Sequence, residues 1–194
     1  VFRILNSKKN VSVIAINDIA DNDAMAYLLK YDTVMGPFKD SVSLEGDIMK
    51  TSKNQIKMVA ERDPSLLPWK EMEVDVVIEA TGIFREKSQL QQHINAGAKR
   101  VILTVPSKDE IDYTLVIGVN DDGLNEDHKI ISNASCTTNC LAPMAKILND
   151  SFEIEYGVIN TIHAYTNDQR LADVPHSDWR RSRAAAENII PTTT

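Results

Sequence analysis

Val74-Asp75-Val76-Val77-Ile78-Glu79-Ala80-Thr81-Gly82 reads as a buried strand closed by a turn, and the residues after it decide the fold. Residues 87–96 carry Leu90 and Ile94 on one helical face, with Gly97 placed as a C-terminal stop. Residues 100–105 then return to a β-branched run. Strand, helix, strand at this spacing is a parallel crossover unit, because parallel neighbours need a connection of a dozen or more residues. The same alternation extends in both directions. Residues 11–17 form a strand candidate, followed by a helix whose apolar face is marked by Ala24, Leu28 and Leu29 and which ends near Tyr31-Asp32. Residues 41–49 and 54–59 suggest a strand pair, polar on one face, and residues 114–119 and 129–132 two further strands. The fold class is therefore α/β with a mainly parallel sheet, and ligands are expected at the strand C-terminal ends.

Past Ser135 the texture changes. Residues 136–148 have helical period, with Leu141, Met144, Ala145 and Leu148 as the expected buried stripe and a kink expected at Pro143. Residues 154–164 form a long strand candidate, residues 167–183 are polar and irregular, and residues 184–190 are mostly apolar. This places a domain boundary near Ser135: residues 1–135 as one domain and 136–194 as the start of another.

Composition narrows the class. The 194 residues are 43% hydrophobic and 25% charged, enough for a sizeable core, and the formal charge of −7 disfavours nonspecific attraction to nucleic acid or anionic membrane. No apolar run reaches membrane-span length and no secretory pattern opens the chain. Two cysteines four apart make neither a disulfide framework nor a zinc site, so a reducing, cytoplasmic setting is expected.

Four features carry chemistry. Asp18 follows the first strand, where a carboxylate can accept both hydroxyls of an adenosine ribose; it can equally cap the next helix, as can Asp21 and Asp23. In Ser132-Asn133-Ala134-Ser135-Cys136-Thr137-Thr138-Asn139-Cys140, a strand runs into small polar residues and a cysteine opens a helix. Free backbone N–H groups and the helix dipole stabilise a thiolate there. The bland alternative is a small packed cysteine, the reading given to Cys140 one turn on. His163 ends the strand candidate 27 residues later, enough chain for a helix and a returning strand that bring imidazole to thiol; a hydrogen-bonded core histidine is the alternative. His93, His128 and His176 lack such a setting and take surface or structural roles. Arg180, Arg181 and Arg183, with Thr192, Thr193 and Thr194, suit phosphate recognition or form a solvated loop.

Together, Ala15-Ile16-Asn17-Asp18, Leu28-Leu29-Lys30-Tyr31-Asp32, Glu79-Ala80-Thr81-Gly82-Ile83-Phe84, the Ser132 to Asn139 stretch, Thr161 to Gln169 and Arg180 to Thr194 resemble the phosphorylating glyceraldehyde-3-phosphate dehydrogenases. The resemblance covers essentially the whole chain, in order. It implies an incomplete Rossmann-like dinucleotide-binding domain followed by part of an α+β catalytic domain. It implies Cys136 as nucleophile and His163 as base. Asp18, Arg62, Thr81, Gly82 and Thr104 would line the NAD groove. Ser135, Thr137, Thr166, Arg181 and Thr194 would serve the two anion sites, for substrate phosphate and inorganic phosphate. Val174-Pro175 agrees with NAD use. The implied reaction oxidises glyceraldehyde 3-phosphate to 1,3-bisphosphoglycerate through a cysteine thioester, in a cytoplasmic homotetramer when full length.

The chain departs from the family pattern in two places. No glycine-rich phosphate loop precedes Val1, and nothing follows Thr194, where the family completes its catalytic sheet and supplies another substrate-binding arginine. The 194 residues are therefore expected to bind NAD weakly and turn over little. An erythrose-4-phosphate dehydrogenase is the nearest rival, a non-catalytic nucleotide-binding relative the next and a cysteine hydrolase a third. Tyr165-Thr166 and Val174-Pro175 lean towards the triose substrate.

Overall fold

In the computed structural model, which describes all 194 residues, the first elements are helix α1 (Phe2–Ser7), strand β1 (Ala15–Asn17) and helix α2 (Asn22–Lys30). The expected strand over residues 11–17 is thus shorter, since only Ala15, Ile16 and Asn17 find partners, opposite Lys57, Met58 and Val59. Helix α2 starts where Asp21 accepts the Ala24 N–H at 3.1 Å. Its inward face is Met25, Ala26 and Leu29. Ala24 and Leu28 lie outside that stripe and are exposed, against expectation, because the packed face falls one residue round the helix.

The expected strand over residues 41–49 is two strands, β2 (Ser43–Glu45) and β3 (Ile48–Lys50), reversed at Gly46, whose φ of 61° suits the turn. Strand β4 (Gln55–Val59) continues this meander antiparallel to β3 and then pairs parallel with β1, giving the order β1-β4-β3-β2. Ile56 and Met58 alternate inward against Ala26, Val42 and Met49.

Strand β5 (Val76–Glu79), helix α3 (Lys87–Asn95), strand β6 (Arg100–Leu103), strand β7 (Tyr113–Thr114) and strand β8 (Ile130–Ser132) follow, and their sheet is parallel throughout in the order β5-β6-β8-β7. Helix α3 begins where the Gln89 side chain accepts the N–H groups of Arg85 and Glu86, and it ends before Gly97, whose φ is 115°. Leu90 is wholly buried among Leu67, Trp69, Val77, Val101 and Leu103, a burial contributing about 2 kcal/mol. Strand β7 is shorter than expected, because residues 116–119 close a turn through Val119 N–H to the Val116 carbonyl.

The chain divides into two compact units, residues 1–115 with 120–134, and residues 116–119 with 135–194. Everything so far, the 116–119 turn excepted, belongs to the first, a mixed α/β unit. The second holds helix α4 (Cys136–Phe152), which runs unbroken through Pro143 and four residues beyond its expected end. None of its residues is buried: Met144 and Leu148 are each 51% exposed, and Cys140 is exposed, not packed. The expected buried stripe is therefore not formed: Leu141 and Ala145 are half-buried, and Met144 and Leu148 are exposed. The expected strand over residues 154–164 is likewise absent, since those residues pair with no neighbouring backbone and a strand exists only in a ladder. Residues 167–187 are mostly turns and bends, with a bridge between Arg170 and Ala184 and a short 3₁₀ turn at Trp179–Ser182, and residues 188–194 form no regular element. No helix is long and apolar enough to cross a membrane.

Candidate active site

In the second unit, the side chain of Ser135 caps α4 by accepting the Thr138 N–H at 2.9 Å, and Cys136 becomes the first helical residue. Cys136 Sγ lies 3.2 Å from His163 Nε2. His163 Nδ1 lies 2.6 Å from the Ala164 carbonyl, which can only accept, so Nδ1 carries a proton and Nε2 faces the sulfur. The thiol is held below the ordinary cysteine value chiefly by the hydrogen bond from His163, with burial opposing it and Thr137 adding backbone and hydroxyl donors. The imidazole is raised above the ordinary histidine value, first by the Ala164 carbonyl and then by the thiolate. The thiol is shifted down and the imidazole up, and both shifts favour the thiolate–imidazolium form of the pair. Both side chains are exposed, so the pair is a matter of reactivity more than of folding stability.

Hydroxyls gather round this pair. Thr194 Oγ1 donates to Thr137 Oγ1 at 2.7 Å, and Ser135 Oγ lies 2.6 Å from Thr138 Oγ1. Arg181 connects to the same end of the chain through the Thr193 carbonyl, 3.3 Å from its Nη2. Its Nη1 is paired with Asp168 at 2.7 Å, and Arg180 is paired with Asp178. Asp178 is pulled down to about 2, first by the Arg180 hydrogen bond. Thr166 sits in the turn closed by Gln169, with no bond to the other hydroxyls. The acidic partners Asp168 and Asp178 were not singled out in the sequence; carboxylates interleaved with an arginine cluster were the available signal.

In the first unit, the expected cofactor residues fall into two groups. Asp18 follows β1, and the cap of α2 is Asp21, so the capping alternative for Asp18 does not hold. Asp18 accepts only the Ala20 N–H through Oδ1, which leaves Oδ2 without a partner in the chain. Arg62 is exposed on the loop after β4, alongside; the Asn17 side chain clamps the two strand ends by bonding both the N–H and the carbonyl of Glu61. Thr81 and Gly82 form the turn after β5, with Gly82 at φ 73°, and Thr104 follows β6. No hydrogen bond joins the Asp18 group to the Thr81 group. A carboxylate oxygen with no internal partner and exposed hydroxyl and backbone groups at parallel strand ends make a donor and acceptor set that fits a dinucleotide.

The glyceraldehyde 3-phosphate dehydrogenase NAD binding domain matches residues 1–87, and the C-terminal domain of the same enzymes matches residues 135–194. Proteins named glyceraldehyde-3-phosphate dehydrogenase are similar throughout. That of Streptomyces coelicolor is 52% identical over 192 residues, covering 98% of this chain and 57% of its own length. That of Borreliella burgdorferi is 53% identical over 199 residues, 100% of this chain and 59% of its own. That of Thermotoga maritima is 52% identical over 196 residues, with the same coverage, 100% and 59%. The chain therefore spans just under three fifths of the length of the curated relatives it matches.

Proposed function

The chain belongs to the glyceraldehyde-3-phosphate dehydrogenase family, and from that footing we propose that the full-length protein oxidises glyceraldehyde 3-phosphate and phosphorylates the product. Cys136 is the nucleophile of this reading and His163 its base. The thiolate attacks the aldehyde carbon, and the His163 imidazolium donates its Nε2 proton or a hydrogen bond to the resulting oxyanion. NAD, when bound, supplies the hydride acceptor that takes the cysteine adduct to a thioester. Inorganic phosphate then displaces Cys136 and releases an acyl phosphate. In the same reading Asp18, Arg62, Thr81, Gly82 and Thr104 hold NAD, while Ser135, Thr137, Thr166, Arg181 and Thr194 hold the two anions. Residues 1–135 make the NAD-binding domain and 136–194 the start of the catalytic domain. The setting is cytoplasmic and the assembly a homotetramer.

The observation that supports this best is the 3.2 Å approach of Cys136 Sγ to His163 Nε2. The test is NADH production by the full-length enzyme with glyceraldehyde 3-phosphate, with and without phosphate, and with erythrose 4-phosphate as comparator. Phosphate-dependent turnover preferring the triose is expected, and Cys136→Ser should abolish it. His163→Asn should lower kcat about a hundredfold or more. Turnover retained in Cys136→Ser would end the assignment.

A further inference from the structure

Glu79 is a carboxylate in an otherwise apolar strand, and it is only 4% exposed. A buried charge of this kind is costly unless every lone pair it presents is answered. Its Oε1 accepts both the N–H of Thr81 at 2.7 Å and the Thr81 hydroxyl at 2.5 Å. Its Oε2 lies 3.3 Å from His93 Nε2. His93 is itself buried, and its Nδ1 receives the indole N–H of Trp69 at 3.1 Å. Indole can only donate, so Nδ1 is an acceptor and the ring proton belongs on Nε2, aimed at Glu79. Burial pushes the Glu79 carboxyl up, but the His93 and Thr81 hydrogen bonds outweigh it and hold the group below the ordinary glutamate value.

The outer end of this chain of bonds is the turn. The Thr81 hydroxyl, while donating to Glu79, accepts the Ile83 N–H at 3.1 Å and so closes the loop around Gly82. The main-chain carbonyl of Glu79 meanwhile accepts both the N–H of Thr104 at 3.1 Å and its hydroxyl at 3.2 Å. One residue thus fixes Thr81, Gly82 and Thr104, three of the five groups assigned to NAD.

The geometry points to Glu79 as a positioning residue for cofactor binding, held in its double-acceptor state by the Trp69–His93 pair. This rests on the reading of Thr81, Gly82 and Thr104 as an NAD site. Its content is chemical, not merely structural: both oxygens must accept. A glutamine has the same shape but one acceptor and one donor. In either amide orientation its NH₂ meets an N–H, from His93 or from Thr81. Removing the indole donor frees His93 to move its proton to Nδ1, and Nε2 can then accept from the amide.

The test uses the full-length enzyme and measures NAD affinity by calorimetry, the KM for NAD and for the triose, and the alkylation rate of Cys136. Glu79→Gln should raise the NAD Kd and KM about tenfold, the effect of one lost hydrogen-bond match on a cofactor-binding turn. The triose KM and Cys136 alkylation should stay within about twofold of wild type, the resolution of such a comparison. The double variant Trp69→Phe with Glu79→Gln should recover much of the NAD affinity, and imidazole ¹⁵N signals should show the proton moved to Nδ1. NAD affinity in Glu79→Gln equal to wild type overturns the proposal. So does an equal loss of NAD affinity and Cys136 reactivity that Trp69→Phe does not relieve, which would mark a purely structural role. A wild-type enzyme that fails to bind NAD would instead sink the cofactor assignment on which the proposal stands.

Discussion

Cys136 and His163 are one electrostatic object, and their titration is shared. The imidazole lowers the thiol and the thiolate raises the imidazole, so each charged form favours the other. Alkylation by iodoacetamide follows the thiolate: it should set in at a lower pH than for an ordinary cysteine and be lost as pH falls through the lowered thiol value. His163→Asn removes the largest cause of that lowering. The alkylation profile should then move upward towards an ordinary cysteine, with the rate at pH 7 falling about tenfold for each unit moved. An unmoved profile would mean that the helix start alone activates the sulfur. At this scale the sequence was most legible where chemistry is local: the small polar residues before Cys136 announce a capped helix. Glu79 was passed over because its partner His93 lies 14 residues further on, and Trp69, which bonds His93, lies 24 residues before His93, links that no local pattern displays.

Among the elements, α3 depends most on one position. Gly97 has φ 115°, and a Cβ there would lie 2.5 Å from Lys70 Cβ and 2.6 Å from Lys70 backbone atoms. Lys70 cannot retreat easily, because its N–H is bonded to the Ala96 carbonyl. Gly97→Ala should therefore cost about 2–4 kcal/mol from strain and overpacking together, read as a lowered urea midpoint at unchanged m. A cost below about 0.5 kcal/mol, the range of an ordinary surface change, would show that the Lys70 segment yields. Gly97 as a stop was readable from sequence, as were the existence of α2, α3 and α4 and the parallel run of β5, β6 and β8. Helices and buried strands advertise themselves through their own periodicity. Residues 154–164 have the β-branched composition of a strand and do not form one, and β7 is clipped, since a strand is completed by a neighbour that its own residues do not specify.

For the whole molecule, the two units are unequally consolidated. The first has two buried apolar clusters, whereas helix α4 of the second buries none of its residues and residues 153–168 are exposed without exception. The division near Ser135 was visible as a change of texture; how little of the second unit would be covered was not, because periodicity reports which face is apolar and not whether anything lies on it. The peptide between α4 and His163 is thus a tether of accessible backbone, with Tyr156 88% exposed in its middle. Dilute chymotrypsin should cut the 194-residue chain after Tyr156 well before it attacks the sites around Trp69 or Leu90, as mass spectrometry would show. Once cut, sulfur and imidazole are no longer joined by a short connector, and their encounter depends on whatever affinity the two pieces retain. The nicked protein should accordingly react with iodoacetamide like the His163→Asn variant, so that a single broken peptide bond, with every side chain still present, removes the imidazole's share of the activation.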